Sequence, residues 1–148
     1  MELQKDFNDL FKLFNAHNVL YMIVGGYALA FHGCPRYTGD MDVYVKPDPQ
    51  NAKKIMAAIK AFGFGSVGIE QQDFEKPDQV IQLGFPPVRI DLVTSITGVE
   101  WDDAYAQCVT GKYGETPVRV IGRNAFIANK RAVGRKKDLA DLEALGET

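Results

Sequence analysis

The stretch IVGGYALAFHGCPRYTGDMDVYV, residues 23–45, changes backbone habit several times in succession. Val19 to Val24 form a short β-rich apolar run, and Gly25-Gly26 halt it. Tyr27 to Gly33 have the composition of one or two helical turns that end at a glycine. Cys34 to Gly39 read as a loop, and Asp40 to Val45 as a second strand. On a strand the side chains alternate, so Asp40, Asp42 and Tyr44 share one face while Met41, Val43 and Val45 share the other. The order is therefore strand, glycine turn, short helix, loop, strand, with two acids pointing the same way.

Each piece has a plain reading beside a chemical one. A glycine pair between strand and helix is a common turn former, yet it also lets the backbone approach a phosphate beside unpaired helix N–H groups. Two aspartates one residue apart place two hard oxygen ligands side by side, which suits magnesium. The same pair would also suit the solvent-facing beginning of a strand.

Outward from this stretch, Leu3, Phe7, Leu10, Phe11 and Phe14 recur at helical spacing and predict an amphipathic first helix. Asp48 and Pro49 read as cap and first-turn residue of a helix whose stripe is Ile55, Ile59 and Phe62 and whose stop is Gly63. Residues 64–78 lack a clear pattern and are expected to be loop with a short strand. QVIQLGF and VRIDLV, separated by Pro86-Pro87, predict neighbouring strands; VEWDDAYAQ predicts a helix and PVRVIG a further strand. The end is expected to be helical in two pieces broken near Gly134. Strands interleaved with helices predict an α/β (α+β) fold, a mixed sheet of about five strands with helices packed on it.

Asp91 interrupts VRIDLV, where Val88, Ile90 and Leu92 face one way and Arg89, Asp91 and Val93 the other. Burying an unpaired carboxylate costs several kcal/mol. Asp91 is therefore paired, with Arg89 the nearest candidate, or coordinates a cation, or stands on an open sheet face.

With 148 residues and 46% hydrophobic composition the chain suits one core, so residues 1–148 are expected to form a single domain whose last ~25 residues are a helical extension. A net charge of -2 argues against non-specific duplex binding by the whole surface. Cys34 and Cys108 have no zinc-ligand spacing and suggest no disulfide scaffold. No signal peptide or membrane span is visible, and a reducing cytoplasm is the expected compartment.

The glycine pair, Asp40-x-Asp42 and the later Asp91, in that order, resemble the nucleotidyltransferase superfamily that includes polymerase beta-type enzymes. The wording GGYALAFHG with R-x-T-x-D-x-D further resembles the branch holding lincosamide-type antibiotic nucleotidyltransferases and the toxin subunits of abortive-infection toxin–antitoxin pairs. The resemblance covers most of the chain through Asp91. One departure is that no serine stands at the second glycine position and Tyr27 follows, which removes a hydroxyl some members use on the triphosphate.

What the resemblance implies is two-metal nucleotidyl transfer, with Asp40, Asp42 and Asp91 as catalytic and metal-binding residues and two Mg²⁺ ions, or Mn²⁺ in their place. Asp40 and Asp42 would bridge the ions and Asp91 complete the site nearest the acceptor hydroxyl. Nucleotide-binding roles fall to Gly25, Gly26, Arg36 and Thr38, with Lys130 and Lys137 as late-helix cations for the triphosphate. Without metal, three acids in one place would repel and raise the pKa of at least one.

The C-terminal cations Lys130, Arg131, Arg135, Lys136 and Lys137 also admit the reading of a solvated helix face, since Lys137 and Asp141 are four apart and Leu139, Leu142 and Leu145 make an ordinary core stripe. They would alternatively meet an RNA end. His17 and His32 have no nucleophile partner at recognisable spacing. Tyr44, on the acid face, is a candidate to border a nucleobase. The expected partners are a nucleoside triphosphate and an acceptor hydroxyl on a tRNA, a protein or a small molecule. A second copy of the chain or another partner chain would supply a missing cleft wall, and an antitoxin would restrain a toxin activity. A noncatalytic nucleotide- or partner-binding module of the same fold is the competing class.

Overall fold

The computed structural model describes residues 4–34, 40–63, 68–85 and 88–147. Helix α1 (Lys5–Ala16) buries Phe7, Leu10, Phe11 and Phe14 of the expected stripe, while Leu3 lies outside the described residues. Strand β1 (Tyr21–Val24) leads into α2 (Gly25–Phe31), and β2 (Asp40–Val45) follows. Helix α3 (Pro49–Phe62) begins where Asp48 accepts a hydrogen bond from Asn51 N at 2.6 Å, and it stops at Gly63 with φ +93. Both ends follow the expected cap chemistry.

In the poorly patterned stretch the described residues hold a short 3-10 helix (Gln71–Phe74) that buries Phe74, and no strand is found there. Strands β3 (Val80–Phe85) and β4 (Val88–Val93) pair antiparallel. Helix α4 (Trp101–Gln107), strands β5 (Val109–Tyr113) and β6 (Thr116–Val120), and helices α5 (Arg123–Val133) and α6 (Lys136–Ala144) complete the chain.

The sheet is mixed and has six strands in the order β3-β4-β2-β1-β6-β5, one more than the sequence predicts. The unexpected one is β5, VTGKY, an edge strand mostly exposed and interrupted by Gly111. An edge strand buries little, so its residues carry no apolar alternation to read. Its register is set by the two-residue turn to β6, where Gly114 takes φ +62.

Two central pairings build the site. β2 runs antiparallel to β1, with Val24 opposite Asp42, and parallel to β4, with Asp40 opposite Arg89 and Asp42 opposite Asp91. Met41, Val43, Ile90 and Leu92 enter the core from the opposite face and are at most 2% exposed. The period of two thus sorts apolar side chains inward and acids outward on neighbouring strands. Asn51, buried in α3, ties the sheet to the helix layer: its Oδ1 accepts from Leu20 N at 2.8 Å and its Nδ2 donates to the carbonyls of Leu20 and Lys46. That satisfies backbone groups next to β1 and β2 that burial would otherwise leave unpaired.

Of the C-terminal cations, Arg131, Arg135, Lys136 and Lys137 are exposed as a solvated face would have them, and Lys130 is not. Lys130 is 6% exposed and its Nζ lies 3.1 Å from Asp138 and 3.2 Å from Asp141. Asp141 is thus paired with Lys130 across the two helices, beside the Lys137 spacing that the sequence suggests. Leu142 and Leu145 are buried as expected, whereas Leu139 is 51% exposed and is not part of the core stripe. The break at Gly134 (φ +68) turns α6, and that turn points Leu139 outward while bringing Asp138 and Asp141 onto Lys130.

Candidate active site

Asp40 and Asp42 leave β2, and Asp91 leaves β4, on the same face of the sheet. Parallel pairing at Asp42↔Asp91 puts the two carboxylates at the same level. The three are close enough to feel one another. Asp42 has its pKa pushed up to about 6, first by burial and then by the negative charges of Asp91 and Asp40, with Arg89 and Lys130 partly offsetting them. The expected repulsion among the three acids is thus present, second to burial.

Arg89 is the immediate counter-charge. Its Nη2 donates to Asp91 Oδ2 at 3.0 Å and lies 3.0 Å from Asp40 Oδ2. Of the readings left open for Asp91, pairing with Arg89 is therefore realised. Asp91 Oδ1 is nevertheless buried without a hydrogen-bond partner among the described residues. An orphaned carboxylate oxygen is costly unless something else meets it. With the side chains in this arrangement, no three described His, Cys, Asp or Glu residues are gathered closely enough to enclose a metal ion.

Gly25 packs directly against the cluster. It sits in the left-handed region at φ +72, and a Cβ there would collide with Asp42 Oδ2. The glycine pair thus works as a close approach of backbone to carboxylate. Gly26 follows in the first turn of α2 and is buried. Both line an open cavity of about 280 Å³ with Asp40, Asp42, Ser95, Lys130, Arg135 and Lys137.

The structure therefore gathers Gly25, Gly26, Asp40, Asp42, Lys130 and Lys137 around one cavity, with Asp91 beside Asp42. Arg36 and Thr38 lie outside the described residues. Lys130 reaches the cavity with its charge already balanced by Asp138 and Asp141. Tyr44 does not border it as an open surface: its ring is 3% exposed and meets Trp101 edge-on at 4.9 Å between centroids. His32 is structural, its Nε2 lying 2.8 Å from the carbonyl of Ile121.

Sequence reasoning did not single out Ser95, Asn129 or Arg135 as lining residues. Ser95 falls two residues past the end of β4, Asn129 comes from α5, and Arg135 comes from the turn between α5 and α6. No local pattern marks such residues. A larger depression of about 480 Å³ between α4 and α5 abuts the site through Ile96, and another of about 550 Å³ lies between α1 and α3. Neither includes the carboxylates.

No protein-family model and no curated protein sequence matches this chain. Solved structures do. A Thermotoga maritima protein described as a candidate nucleotidyltransferase superposes with a TM-score of 0.66 at 13% identity, over 96% of this chain and 93% of that one. The lincosamide antibiotic adenylyltransferase LnuA, in its lincomycin-bound form, gives 0.57 at 12% identity, over 99% and 98%. The antibiotic-resistance factor ANT(2'')-Ia gives 0.61 at 12% identity, over 95% and 80%. Among the described residues no helix is long and apolar enough to cross a membrane. The strand order, the paired acids on adjacent parallel strands and these superpositions together establish that the chain has the nucleotidyltransferase fold.

Proposed function

We propose that this protein transfers a nucleoside monophosphate from a nucleoside triphosphate to an acceptor hydroxyl, using Asp40, Asp42 and Asp91 to hold divalent cations. The observation that carries this reading is the parallel register placing Asp42 beside Asp91, with Asp40 one pleat along, facing the cavity that Gly25 and Gly26 line. The donor set fits the group. All three ligands are hard carboxylate oxygens, one of them buried without a hydrogen-bond partner among the described residues, and the pKa of Asp42 is raised first by burial and then by the charges of Asp91 and Asp40. When bound, Mg²⁺ or Mn²⁺ supplies charge neutralisation at the phosphates and a lowered pKa at the acceptor hydroxyl.

The chain's own groups would divide the remaining work. The backbone of Gly25 and Gly26 forms the floor of the cavity and leaves room for a phosphate to approach. Arg135 and Lys137 are cations at its rim, suited to the outgoing pyrophosphate. Lys130 supports them by holding α6 against α5 through Asp138 and Asp141. The acceptor oxygen attacks the α-phosphorus, the bond to pyrophosphate breaks, and the hydroxyl proton passes to a carboxylate, for which Asp91 is the candidate.

Likeness to drug-modifying adenylyltransferases favours a small-molecule acceptor over a tRNA or protein. A toxin role with an antitoxin partner is the second biological setting for the same chemistry. A noncatalytic module draws its support from the Arg89 pairing, which gives Asp40 and Asp91 a structural partner.

A thermal-shift panel of the four ribonucleoside triphosphates with and without Mg²⁺ separates these readings. Binding to the folded state alone stabilises by roughly 3 kcal/mol at about a hundred times the dissociation constant. A magnesium-dependent rise followed by transfer of label to an acceptor is expected. No metal-dependent shift with any triphosphate would leave the noncatalytic reading standing.

A further inference from the structure

Arg89 stands between oxygens delivered by two different strands. The same Nη2 lies 3.0 Å from Asp40 Oδ2 on β2 and 3.0 Å from Asp91 Oδ2 on β4. The sheet dictates this placement, because Arg89 is the register partner of Asp40 and shares a face with Asp91 two residues later. A terminal guanidinium nitrogen and a divalent cation seek the same pair of oxygens. Asp91 keeps a second oxygen, Oδ1, without a hydrogen-bond partner among the described residues, but a divalent cation drawn to it would repel the guanidinium held 3.0 Å from the same carboxylate.

Two features make the arginine displaceable. Its side chain is 30% exposed, so it has a path toward solvent. Its contacts to the acids run through Nη2, while Nε is buried without a hydrogen-bond partner among the described residues. The two-pronged fork that makes an arginine–carboxylate pair strong is therefore not formed.

We propose that Arg89 is the resident counter-cation of the carboxylate cluster, and that a divalent cation gains Asp40 and Asp91 only as the guanidinium swings away. This rests on the reading that these acids bind a divalent cation. Arg89 then has two opposed effects. It stabilises the metal-free fold by balancing crowded negative charge, and it weakens metal binding by keeping the competent arrangement a minority of the population. A residue that merely positioned Asp91 would have the opposite effect on metal, since its loss would weaken binding.

The test uses Mn²⁺ alone, titrated into the full chain and followed by electron paramagnetic resonance of the free ion. Arg89→Met keeps the stem and removes the charge. Arg89→Lys keeps the charge on a shorter side chain. Arg89→Met is expected to bind Mn²⁺ about tenfold more tightly than the unaltered protein while its metal-free thermal midpoint falls, with Arg89→Lys between the two. Equal or weaker Mn²⁺ binding in folded Arg89→Met overturns the proposal.

If Arg89→Met does not fold, the unaltered protein decides the question through the assigned Arg89 Nε–H resonance during Mg²⁺ titration. A shift that saturates with Mg²⁺ binding is expected. A resonance that stays fixed while the aspartate carboxyl signals move overturns the proposal. Failure of any form to bind Mn²⁺ removes the metal reading and this inference together, whereas binding of unchanged affinity removes only the inference.

Discussion

Asp42 on β2 and Asp91 on β4 are direct partners across a parallel ladder, so two acids far apart in sequence emerge side by side on one face of the sheet. Burial, and then the charges of Asp91 and Asp40, push the pKa of Asp42 up to about 6. A fold chosen for stability alone would not place them so.

The first prediction follows from that crowding. Under the proposed function, Asp42→Ala is expected to lower nucleotidyl transfer by at least about a hundredfold, since it removes one of the three carboxylates assigned to the divalent cations. Asp42→Asn, which keeps the shape and removes the charge, is expected to raise metal-free stability by about 1–3 kcal/mol. Urea unfolding and a labelled-nucleotide assay check both; full turnover in Asp42→Ala would end the catalytic assignment.

A second prediction concerns pH. Asp42 has a folded pKa above its ordinary 3.8, so its ionisation costs stability above about pH 6 and that cost fades as pH falls toward 4. Asp138 behaves oppositely. The Arg135 hydrogen bonds, and next the Lys130 contact, hold its pKa down to about 2, so it contributes stability above pH 4 that is lost as pH falls toward 2. Metal-free urea midpoints should therefore rise from pH 7 to about 5 and drop below about 4. Asp42→Asn should flatten the upper limb and Asp138→Asn the lower; an upper limb unchanged in Asp42→Asn would refute the attribution.

The buried ion cluster between α5 and α6 supplies a third. Lys130→Ala removes the buried ammonium that lies 3.1 Å from Asp138 and 3.2 Å from Asp141, and breaking such a pair costs about 3–5 kcal/mol. The double variant Lys130→Met with Asp141→Leu replaces charge by apolar volume and is expected to recover most of that loss. Equal denaturant midpoints for the single and double variants would show that the pair contributes nothing specific.

A fourth compares two glycines with positive φ. Gly63→Ala at the end of α3 has open space around its Cβ and should lose only the conformational cost, about 1 kcal/mol. Gly25→Ala adds a collision with Asp42 Oδ2 and is expected to lose more, together with metal-dependent nucleotide binding. Similar losses of stability at both positions, with nucleotide binding retained, would remove Gly25 from the site.

Much of this was written locally. The helix α1 stripe, the Asp48 cap, the Gly63 stop and the alternation of DMDVYV and VRIDLV depend on spacing within a few residues, and the folded chain reproduces them. Strand β5 was invisible because an edge strand buries too little to require an apolar period. Leu139 and Tyr44 were misjudged for a related reason: face periodicity predicts which residues point together but not what stands opposite.

By itself the sequence determined the element types around Gly25-Gly26 and the common facing of Asp40 with Asp42, because backbone periodicity is a local property of the chain. Only the tertiary structure decided that Asp91 would stand beside Asp42, that Arg89 would bridge Asp40 and Asp91, and that Lys130 would be buried against Asp138 and Asp141. Those relationships arise from strand order and helix docking, which depend on how distant surfaces fit together, and no window of neighbouring residues contains that information.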